Sequence, residues 1–572
     1  MRSIATFAGA RLPRGLTARL AGWRTRPSAL VWQPTPPVDG DAAIARRLSS
    51  GVLLFDGRLV EAGPDTRHPW DITAPDHVWR NELHGHGWLD HAAATPDRAV
   101  AEHLIGWVWE WLDRYGDGSG PGWAPQLVAR RLTRWIAHSS LLLRGQSQER
   151  SARFFRSLGA QTRYLEWRWA ETRAGAERIE ALAGLVYATL SLEGSQAANR
   201  RAIAALGRQV SRIVGDDGAI ESRNPEELAR ILALLVWCAR SLEDAGLKPA
   251  TGHLVAIRHL RPAVKALCHS SGALARFNGG RSGSGIDLAS LIEGEDAANI
   301  PALDRAMGYL RIAEGPGLLI ADGAGQPDDA QAGTVHAGAL AFEFSFQGRD
   351  IIVNCGSGLG FGLKAGVDAR RGPAHSGVEL GGRCPGRLRP GKSEHDPARL
   401  SCEGKVNARL HHAQDGTWLM GESEQYETWF GLSIERRLRL SKDGTRLSGE
   451  DTVLAKTAET RARVAQAFPD ADKPCPIRAR FHLHPEIEAS LALNGNAVAL
   501  KLPDESRWLM TTDADILLLE PSRYFDETRP KPRATSQIVV GSDLIEYWGR
   551  VSWQLERLPD GTTPLQAKAQ SR

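Results

Sequence analysis

The chain is poor in cysteine, and its charges nearly cancel. Its 572 residues include six cysteines and no CxxC pair, so neither a zinc ribbon nor a thioredoxin-type site is predicted. The formal net charge of +4 gives no overall attraction to nucleic acid or to an anionic membrane. No apolar run approaches the roughly 18–20 residues that a membrane-spanning helix needs. We therefore expect a globular protein with no nucleic-acid partner and no membrane insertion.

The length limits the number of domains, and the N-terminal sequence bears on whether the chain carries a secretory signal. At roughly 150 residues per domain, the length predicts two to four domains. The first residues, MRSIATFAGARLPRGLTARLAGW, are basic and contain no continuous apolar stretch before a cleavage site, so no secretory signal is predicted. Residues 1–80 are rich in Pro, Arg and Trp and are predicted to be irregular, apart from a β-like run at 51–55.

A hydrophobic period of three to four residues begins near residue 97 and predicts a series of helices. The first helix begins near residue 97, and the others are expected at 125–143, 150–172, 176–192, 196–214, 226–244 and 249–270. Short loops between them imply antiparallel helical hairpins in a helical domain over residues 81–300. The hairpins are compatible with a bundle, a solenoid or a closed α/α toroid, and periodicity does not choose among the three.

A Gly/Ser/Asp-rich linker follows Gly280, and beyond Tyr309 the hydrophobic period falls to two residues, which is typical of β-strands. The predicted strands are 318–322, 339–346, 349–355, 405–412, 417–422, 433–441, 446–454, 476–484, 488–493, 497–502, 507–512, 514–519, 536–541 and 549–556. Turns such as Asp443-Gly444 separate several of them. The fold class is therefore multidomain α+β, with an antiparallel β-sandwich over residues 301–572.

Four groups of polar residues are candidates for chemistry. The first, Glu82, His84, His86, Asp90 and His91, has the residue types of a metal site but no standard zinc spacing, and a capped helix start explains it as well. The second places Arg223 and Asn224 at a turn before Pro225, where Asn224 is also suited to cap the helix. The third and fourth are His336 before a strand and His375 in a loop beside Arg370 and Arg371.

Seven blocks, in order over residues 40–556, carry a resemblance to a known family. They are HVWRNELHGHGWLDHAAA, ESRNPEEL, ALARFNGG, HAGALAFEFSFQGRDIIVNCGSG, ARRGPAHSGVEL, FGLSIERRLRLSKDGTRLSGED and FHLHPEIEASLALNG. Together they resemble the heparinase II/III-like family, especially its alphaproteobacterial members. The resemblance implies an α/α toroid followed by a stacked antiparallel β-sandwich, and cleavage of a uronate-containing polysaccharide by β-elimination. It also implies a location in the periplasm or cell envelope, whereas the N-terminal sequence leaves the cytoplasm as the alternative.

The resemblance assigns roles to six residues. Asn224 and Arg371 would face the uronate carboxylate, with Arg223 as a further substrate-binding residue. His375 or His336 would be the base, and Tyr309 or a histidine the acid.

The family's His-x-His-x-Asp pattern is matched only in part. His336 stands at its second histidine, whereas Thr334, Gly338 and Asn354 stand where potential metal ligands are found in the family. We therefore predict no metal, although a structural zinc occurs in the family.

Two other interpretations stay open. The chain would be an impaired member that binds an acidic glycan or serves in envelope polysaccharide assembly, or an unrelated helical scaffold fused to a sandwich. The sequence does not define the polymer or the oligomeric state.

Overall fold

The computed structural model divides into two compact units. The first comprises Met1–Gly218, Glu227–Arg261 and Gly285–Asp287, and the second comprises Ala219–Glu226, Pro262–Ser284 and Leu288–Arg572. The residues that the structure describes are 12–22, 27, 29–36, 38–62, 68–283, 285–292, 300–327, 333–389, 391, 398–470 and 472–561. Residues 1–11, part of the segment in which no secretory signal was predicted, lie outside these ranges.

Helices dominate the chain up to residue 266. They are α1 (Arg14–Gly22), α2 (Ala42–Ser49), α3 (His77–Gly85), α4 (Leu89–Ala94), α5 (Arg98–Tyr115), α6 (Pro125–Ala137), α7 (Ser139–Leu143), α8 (Gln148–Arg168), α9 (Ala176–Ser191), α10 (Gln196–Ile213), α11 (Pro225–Asp244) and α12 (Thr251–Ala266). The long helices confirm the predicted spans within a few residues, because their apolar faces repeat at the helical period. The closed toroid stays a prediction.

Helix α9 lies at the centre of the first unit. It packs against α6, α8 and α10, and its residues are buried on every side. Gly184 permits the close approach to α6, since a Cβ atom there would lie 2.7 Å from the Cβ of Ala129. A helix that is buried all round is typical of the core of a larger helical domain.

The N-terminal segment is more regular than the irregular one predicted for residues 1–80. It contains α1, α2 and the hairpin of β1 (Val52–Phe55) and β2 (Arg58–Glu61). Asp41 caps α2 by accepting a hydrogen bond from the backbone N–H of Ala43 at 2.7 Å. Helices of eight or nine residues span too few turns for a periodic pattern to stand out, and therefore the sequence did not reveal them.

Antiparallel strands dominate the second unit. They are β3 (Arg305–Ala306), β4 (Tyr309–Glu314), β5 (Gly317–Asp322), β6 (Phe342–Phe346), β7 (Arg349–Ile352), β8 (Val378–Leu380), β9 (Arg387–Arg389), β10 (Arg399–Ser401), β11 (Val406–Ala413), β12 (Gly416–Tyr426), β13 (Leu432–Ser441), β14 (Arg446–Leu454), β15 (Pro476–His482), β16 (Glu488–Ala492), β17 (Ala497–Lys501), β18 (Arg507–Thr512), β19 (Ile516–Tyr524), β20 (Arg533–Asp543) and β21 (Trp548–Arg557). Short helices lie between some of them, namely α13 (Leu288–Ile292), α14 (Leu363–Asp368), α15 (Glu427–Phe430) and α16 (Ala458–Ala467).

These strands form three large sheets and one two-stranded sheet. The orders are β11-β12-β13-β14-β21-β18-β17-β16, β19-β20-β15-β8, β3-β4-β5-β6-β7 and β10-β9. The predicted strands are confirmed. Side chains from all three large sheets share one apolar core. The sandwich itself stays a prediction.

Strand β6 positions the site because its two faces differ. Phe342, Phe344 and Phe346 enter the apolar core, whereas Glu343 and Ser345 are buried on the opposite side. The turn to β7 contains Gln347 and Gly348 at φ of 46° and 76°, as a tight hairpin turn requires.

In the described part of the chain, no helix is long and apolar enough to cross a membrane.

Candidate functional site

Two histidines of the second unit stack on each other. His336 lies in the loop before β6, and His375 lies in the loop before β8. Their ring centroids are 3.8 Å apart and their planes differ by 19°, while Phe277 stacks on His336 at 5.9 Å. Gly338 makes room for the pair, because a Cβ atom there would lie 2.6 Å from His336 Nδ1 and 3.2 Å from His375 Cγ.

Arg436 fixes the two loops that carry these histidines. Its Nη1 donates hydrogen bonds to the carbonyl oxygens of Leu340 at 2.9 Å and Ser376 at 2.8 Å. Nε and Nη2 form a buried bidentate pair with Asp451 at 2.6 and 3.0 Å. Since an unpaired carboxylate or guanidinium in the core costs several kcal/mol, this pair holds the loops firmly only while both partners remain.

A chain of hydrogen bonds leads away from His375. His375 Nδ1 and Asn354 Oδ1 are 3.1 Å apart, and the backbone N–H of Asn354 donates to Glu343 Oε1 at 2.7 Å. Glu343 Oε2 pairs with His269 Nε2 at 2.9 Å and accepts from the Arg276 backbone N–H at 3.0 Å. All five residues are buried, so the chain fixes the orientation of the His375 ring.

Burial keeps both stacked histidines neutral. Burial lowers the pKa of His336 to about 3, and the charges of Arg223 and Arg370 act in the same direction. The pKa of His375 is held well below its ordinary range by burial, then by the neighbouring His336 and His482. His336 Nδ1 and Nε2 and His375 Nε2 have no hydrogen-bond partner among the residues that the structure describes. Each ring therefore presents an unpaired nitrogen in an uncharged state.

The pair lines a narrow cavity of about 10 Å³, which is room for about one water molecule. The cavity is lined by Arg276, Gly279, Gly280, Thr334, His336, Gly356, Ser357, Gly358, Leu359, Gly366, Ala369, Arg370 and His375. Of the six predicted site residues, it contains only His336 and His375.

Tyr309 lies next to this pair but has its hydroxyl engaged. It donates to the carbonyl oxygen of Arg223 at 2.7 Å and accepts from Asn278 Nδ2 at 2.7 Å. Its ring lies 4.7 Å from the ring of Phe277, which also contacts His336. Burial raises the pKa of Tyr309 far above its ordinary value. The hydroxyl is thus placed to hold the Arg223 backbone, which adopts a φ of 51°.

The guanidinium of Arg223 bonds to the protein through all three nitrogens. It lies 4.7 Å over the Tyr309 ring and contacts the carbonyl oxygens of Met307 and Gly325 and the carboxylate of Asp322. Burial alone would lower the pKa of Arg223, but the Asp322 carboxylate raises it. This geometry gives Arg223 a positioning role, and the predicted contact with substrate stays a prediction.

Asn224 and Arg371 are placed differently from the histidines. Asn224 Oδ1 accepts from the backbone N–H of Glu226 at 2.9 Å, as expected of a helix cap, and lies 2.8 Å from where a Gly280 Cβ would stand. The side chain of Arg371 is 56% exposed and lies 3.9 Å from Asp368. Its neighbour Arg370 lines the cavity, and burial lowers the pKa of Arg370 to about 10.

The described residues do not fit a metal ion. No group of three or more His, Cys, Asp or Glu side chains within the described ranges is arranged to hold one. At the position of the family's aspartate, Asn354 offers an amide that faces His375 Nδ1.

The first histidine cluster of the sequence belongs to the core of the helical unit. Trp111 Nε1 donates to His84 Nδ1 and Trp135 Nε1 donates to His86 Nδ1, both at 3.0 Å. Asp90 pairs with Arg134 and His138 instead. The structural interpretation of this cluster is therefore better than a metal site. His84 and His86 lie in an aromatic core, whereas the sequence suggested only a capped helix start.

The hydrogen-bonded residues behind the histidines were not predicted. Glu343 offered a signal, because an acidic residue stands among phenylalanines in a strand that is otherwise apolar. Arg276 stands in the ALARFNGG block, for which no role was predicted from the sequence. Asn354 was considered only as a replaced metal ligand. Their shared role depends on contacts between residues 11 to 74 positions apart, which no periodic pattern of the sequence reports.

Comparisons with known proteins agree with this architecture. The family described as Heparinase II/III-like, C-terminal, matches residues 300–554. FtsZ-localized protein C of Caulobacter vibrioides (strain NA1000 / CB15N) is 27% identical over 546 residues, covering 93% of this chain and 91% of that protein.

Solved structures of heparinases resemble the chain over most of its length. The crystal structure of heparinase III aligns with a TM-score of 0.66 and 13% identity, over 96% of this chain and 90% of that chain. Heparan sulfate lyase HepC from Pedobacter heparinus, solved as a mutant, aligns with a TM-score of 0.59 and 13% identity, over 96% and 88%. At this identity the likeness shows the fold alone. Residues 300–554 match the heparinase II/III-like C-terminal family, and over the rest of the chain the likeness to the heparinases is one of fold.

Proposed function

We propose that this protein is a polysaccharide lyase that cleaves a uronate-containing acidic polysaccharide, heparan-like or alginate-like, by β-elimination. The observation that carries the proposal is the stacked pair of His336 and His375. Three of its ring nitrogens are buried at a cavity without a hydrogen-bond partner among the described residues. Native proteins rarely leave buried polar atoms unpaired without a reason, and a ligand supplies one.

His375 has the protonation state that a base requires. Because the Asn354 amide oxygen only accepts, His375 Nδ1 carries the proton of that hydrogen bond and Nε2 keeps a lone pair. Nε2 would take the C5 proton of the uronate. The C–H electron pair becomes the C4–C5 double bond, and the bond from C4 to the glycosidic oxygen breaks. The imidazolium then returns the proton to that oxygen, so one residue serves as base and acid.

The low pKa values explain how substrate would start the reaction. With a pKa of about 3, His336 is a weak base while no anionic ligand is bound. A uronate carboxylate placed beside the pair favours the charged imidazolium and raises both pKa values. The histidines would thus become effective bases only when an acidic sugar is bound.

The other four predicted site residues would bind the substrate or position the residues that do. Asn224 would donate from Nδ2 to the uronate carboxylate, since its Oδ1 caps the helix. Arg371 would meet the polymer from its exposed position. Tyr309 and Arg223 would hold the Asn224 turn rather than move protons, because their polar atoms bond to the protein.

The family likeness supports the other parts of the proposal. An α/α toroid followed by a β-sandwich agrees with the helical and β parts of the chain and with the heparinase III likeness. The partner is an acidic polysaccharide and not nucleic acid, and the place of action is the periplasm or cell envelope.

A second function is binding of an acidic glycan without cleavage, in envelope polysaccharide assembly. Two observations favour it: the Tyr309 hydroxyl is engaged on both sides, and the histidine cavity has room for about one water molecule. The relative in Caulobacter is named for its localization with FtsZ and not for a substrate.

One experiment separates the two functions. Purified full-length protein is incubated with a panel of uronate polymers, and ultraviolet absorbance of the new double bond is followed, with His375→Gln as the matched control. The lyase predicts a rise for the wild type and none for the variant. Calorimetry on the same polymers, showing equal binding by both proteins and no product from either, would establish the binding function instead.

A further inference from the structure

A second cavity of the β-rich unit shares one residue with the histidine cavity. It has a volume of about 280 Å³, close to the lower end of small-molecule sites at roughly 300 Å³. Arg276 lines both cavities. The larger one also contains Arg349 at the start of β7 and Arg533 at the start of β20.

Two of the three arginines lack a side-chain partner among the described residues. The guanidinium groups of Arg349 and Arg533 form no hydrogen bond or ion pair with any residue in the described ranges. Arg276 is 7% exposed, its Nη1 donates to the carbonyl oxygen of Phe525 at 3.1 Å, and its guanidinium lies 4.0 Å over the Tyr524 ring. Arginine binds carboxylate and sulfate groups through paired donors, so these groups are suited to an oxyanion.

Three carboxylates in the same cavity restrict the ligand further. Asp350 accepts from Ser271 Oγ at 2.8 Å, Asp526 accepts from Thr528 Oγ1 at 2.6 Å, and Glu486 lies 4.0 Å from His484. The charges of the three acids offset those of the three arginines, which disfavours a simple polyanion. Carboxylate oxygens accept hydrogen bonds from hydroxyl groups, and therefore the lining suits a ligand with one anionic group and several hydroxyls.

We propose that this cavity is a subsite for a sugar residue that carries an oxyanion substituent, either a carboxylate or a sulfate. This proposal rests on the proposed function for the identity of the polymer. Because Arg276 lines both cavities, one acidic chain would place one sugar at the histidines and another sugar here. The subsite would select acidic polymers before any bond is broken.

The test measures binding in a protein that cannot turn over substrate. Full-length His375→Gln protein is compared with the same protein carrying Arg349→Gln and Arg533→Gln, by calorimetry. The probes are uronate-containing oligosaccharides of one length in four forms: sulfated, desulfated, carboxyl-reduced and neutral. The control is Arg437→Gln, which removes an arginine 55% exposed on β13.

The double substitution is expected to raise Kd at least about ten-fold, since each lost charged hydrogen bond is worth about 1.5 kcal/mol or more. The loss should occur with the sulfated form alone if sulfate is bound, or with every carboxylate-bearing form if carboxylate is bound. The control and the neutral form should change less than about two-fold.

Equal affinity of the double variant and its parent would overturn the subsite, as would an equal loss in Arg437→Gln or no binding to any probe. The lyase proposal fails separately. An arginine-dependent affinity together with no unsaturated product from the wild type leaves the subsite in place and removes the enzyme.

Discussion

Two pairs of buried histidines, one in each unit of the molecule, differ in what surrounds their nitrogens. Burial lowers the pKa of His84 in the helical unit and of His336 in the β-rich unit to about 3. The pKa values of their neighbours, His86 and His375, are also lowered well below the ordinary range by burial. Burial and a shifted pKa therefore do not distinguish a structural histidine from a functional one.

Hydrogen bonding does distinguish the pairs. In the helical unit, an indole N–H donates to Nδ1 of His84 and of His86, and of the fully buried ring nitrogens only His86 Nε2 lacks a partner among the residues described. In the β-rich unit, three of four nitrogens lack a partner within the described ranges, and both rings line a cavity. Unpaired ring nitrogens that also line a cavity are therefore a better sign of a ligand than burial or a lowered pKa.

The largest expected effect is on the step assigned to His375. His375→Gln should lower kcat by about 10³-fold with little change in KM, because general acid–base catalysis supplies roughly 10²–10⁴-fold. Steady-state absorbance assays with a uronate polymer measure this. The exposed His411→Gln on β11 is the control and should keep full activity. A kcat for His375→Gln within about ten-fold of the wild type would remove the distinction between the two histidine pairs.

The helical pair should affect stability and not chemistry. His86→Ala leaves a cavity among aromatic rings and an unpaired Trp135 indole, so the unfolding free energy of this unit should fall by about 3 kcal/mol. Urea unfolding followed by tryptophan fluorescence measures the change. Activity per folded molecule should be unchanged, and a selective loss of kcat would contradict the structural assignment.

Lowering the pH should destabilise the folded protein through both histidine pairs, because each contains a histidine that stays neutral when folded. His84 and His336 stay neutral when folded down to a pH of about 3, whereas in the unfolded chain they take up protons below about 6.5. Stability is therefore complete above about 6.5 and falls as the pH drops, by about 2 kcal/mol per histidine at pH 5. Urea unfolding at pH 7 and 5 tests this. Since glutamine carries no charge in either state, His336→Gln should lose less stability than the wild type over the same interval.

The stability that His269 contributes should depend on pH in the opposite direction. Burial alone would lower the pKa of His269, but the hydrogen bond to Glu343 and the charges of Asp350 and Glu343 together raise it. Its contribution is complete below about 6.5 and is lost as the pH rises through the raised value. In His269→Gln, a decline in stability above neutral pH should therefore be smaller than in the wild type.

The smallest effect is expected at Tyr309. Tyr309→Phe removes one hydroxyl that joins Asn278 to the Arg223 backbone, so catalysis should fall less than about ten-fold, or about 1 kcal/mol. The pH profile of kcat should keep its shape, because the hydroxyl supplies no proton in this arrangement. A fall of about 100-fold with a changed profile would instead show that Tyr309 is the acid.

The regular elements were predictable, and the contacts behind the site were not. A hydrophobic period of three to four residues predicted α5 to α12, and a period of two predicted β5 to β7 and β11 to β21, because each apolar face repeats locally. The three-residue strands β8, β9 and β10 were not predicted, since they are too short to show a period. Asn354 lies 11 residues after Glu343 and Arg276 lies 67 residues before it, and no periodic pattern indicates their hydrogen bonds. The helices before residue 80 escaped the periodic signal because they are too short to show it.

The sequence by itself determined the change of period near residue 300, the strand and helix spans, and the family likeness of its blocks. The tertiary structure decided which polar residues are paired. It placed His84 and His86 under indole donors and left His336 and His375 with unpaired nitrogens at a cavity, among the residues described. It also bound Arg223 and Tyr309 to protein partners. The reason is physical: residue type fixes how many hydrogen bonds a side chain can make, whereas only the folded neighbours fix how many remain for a ligand.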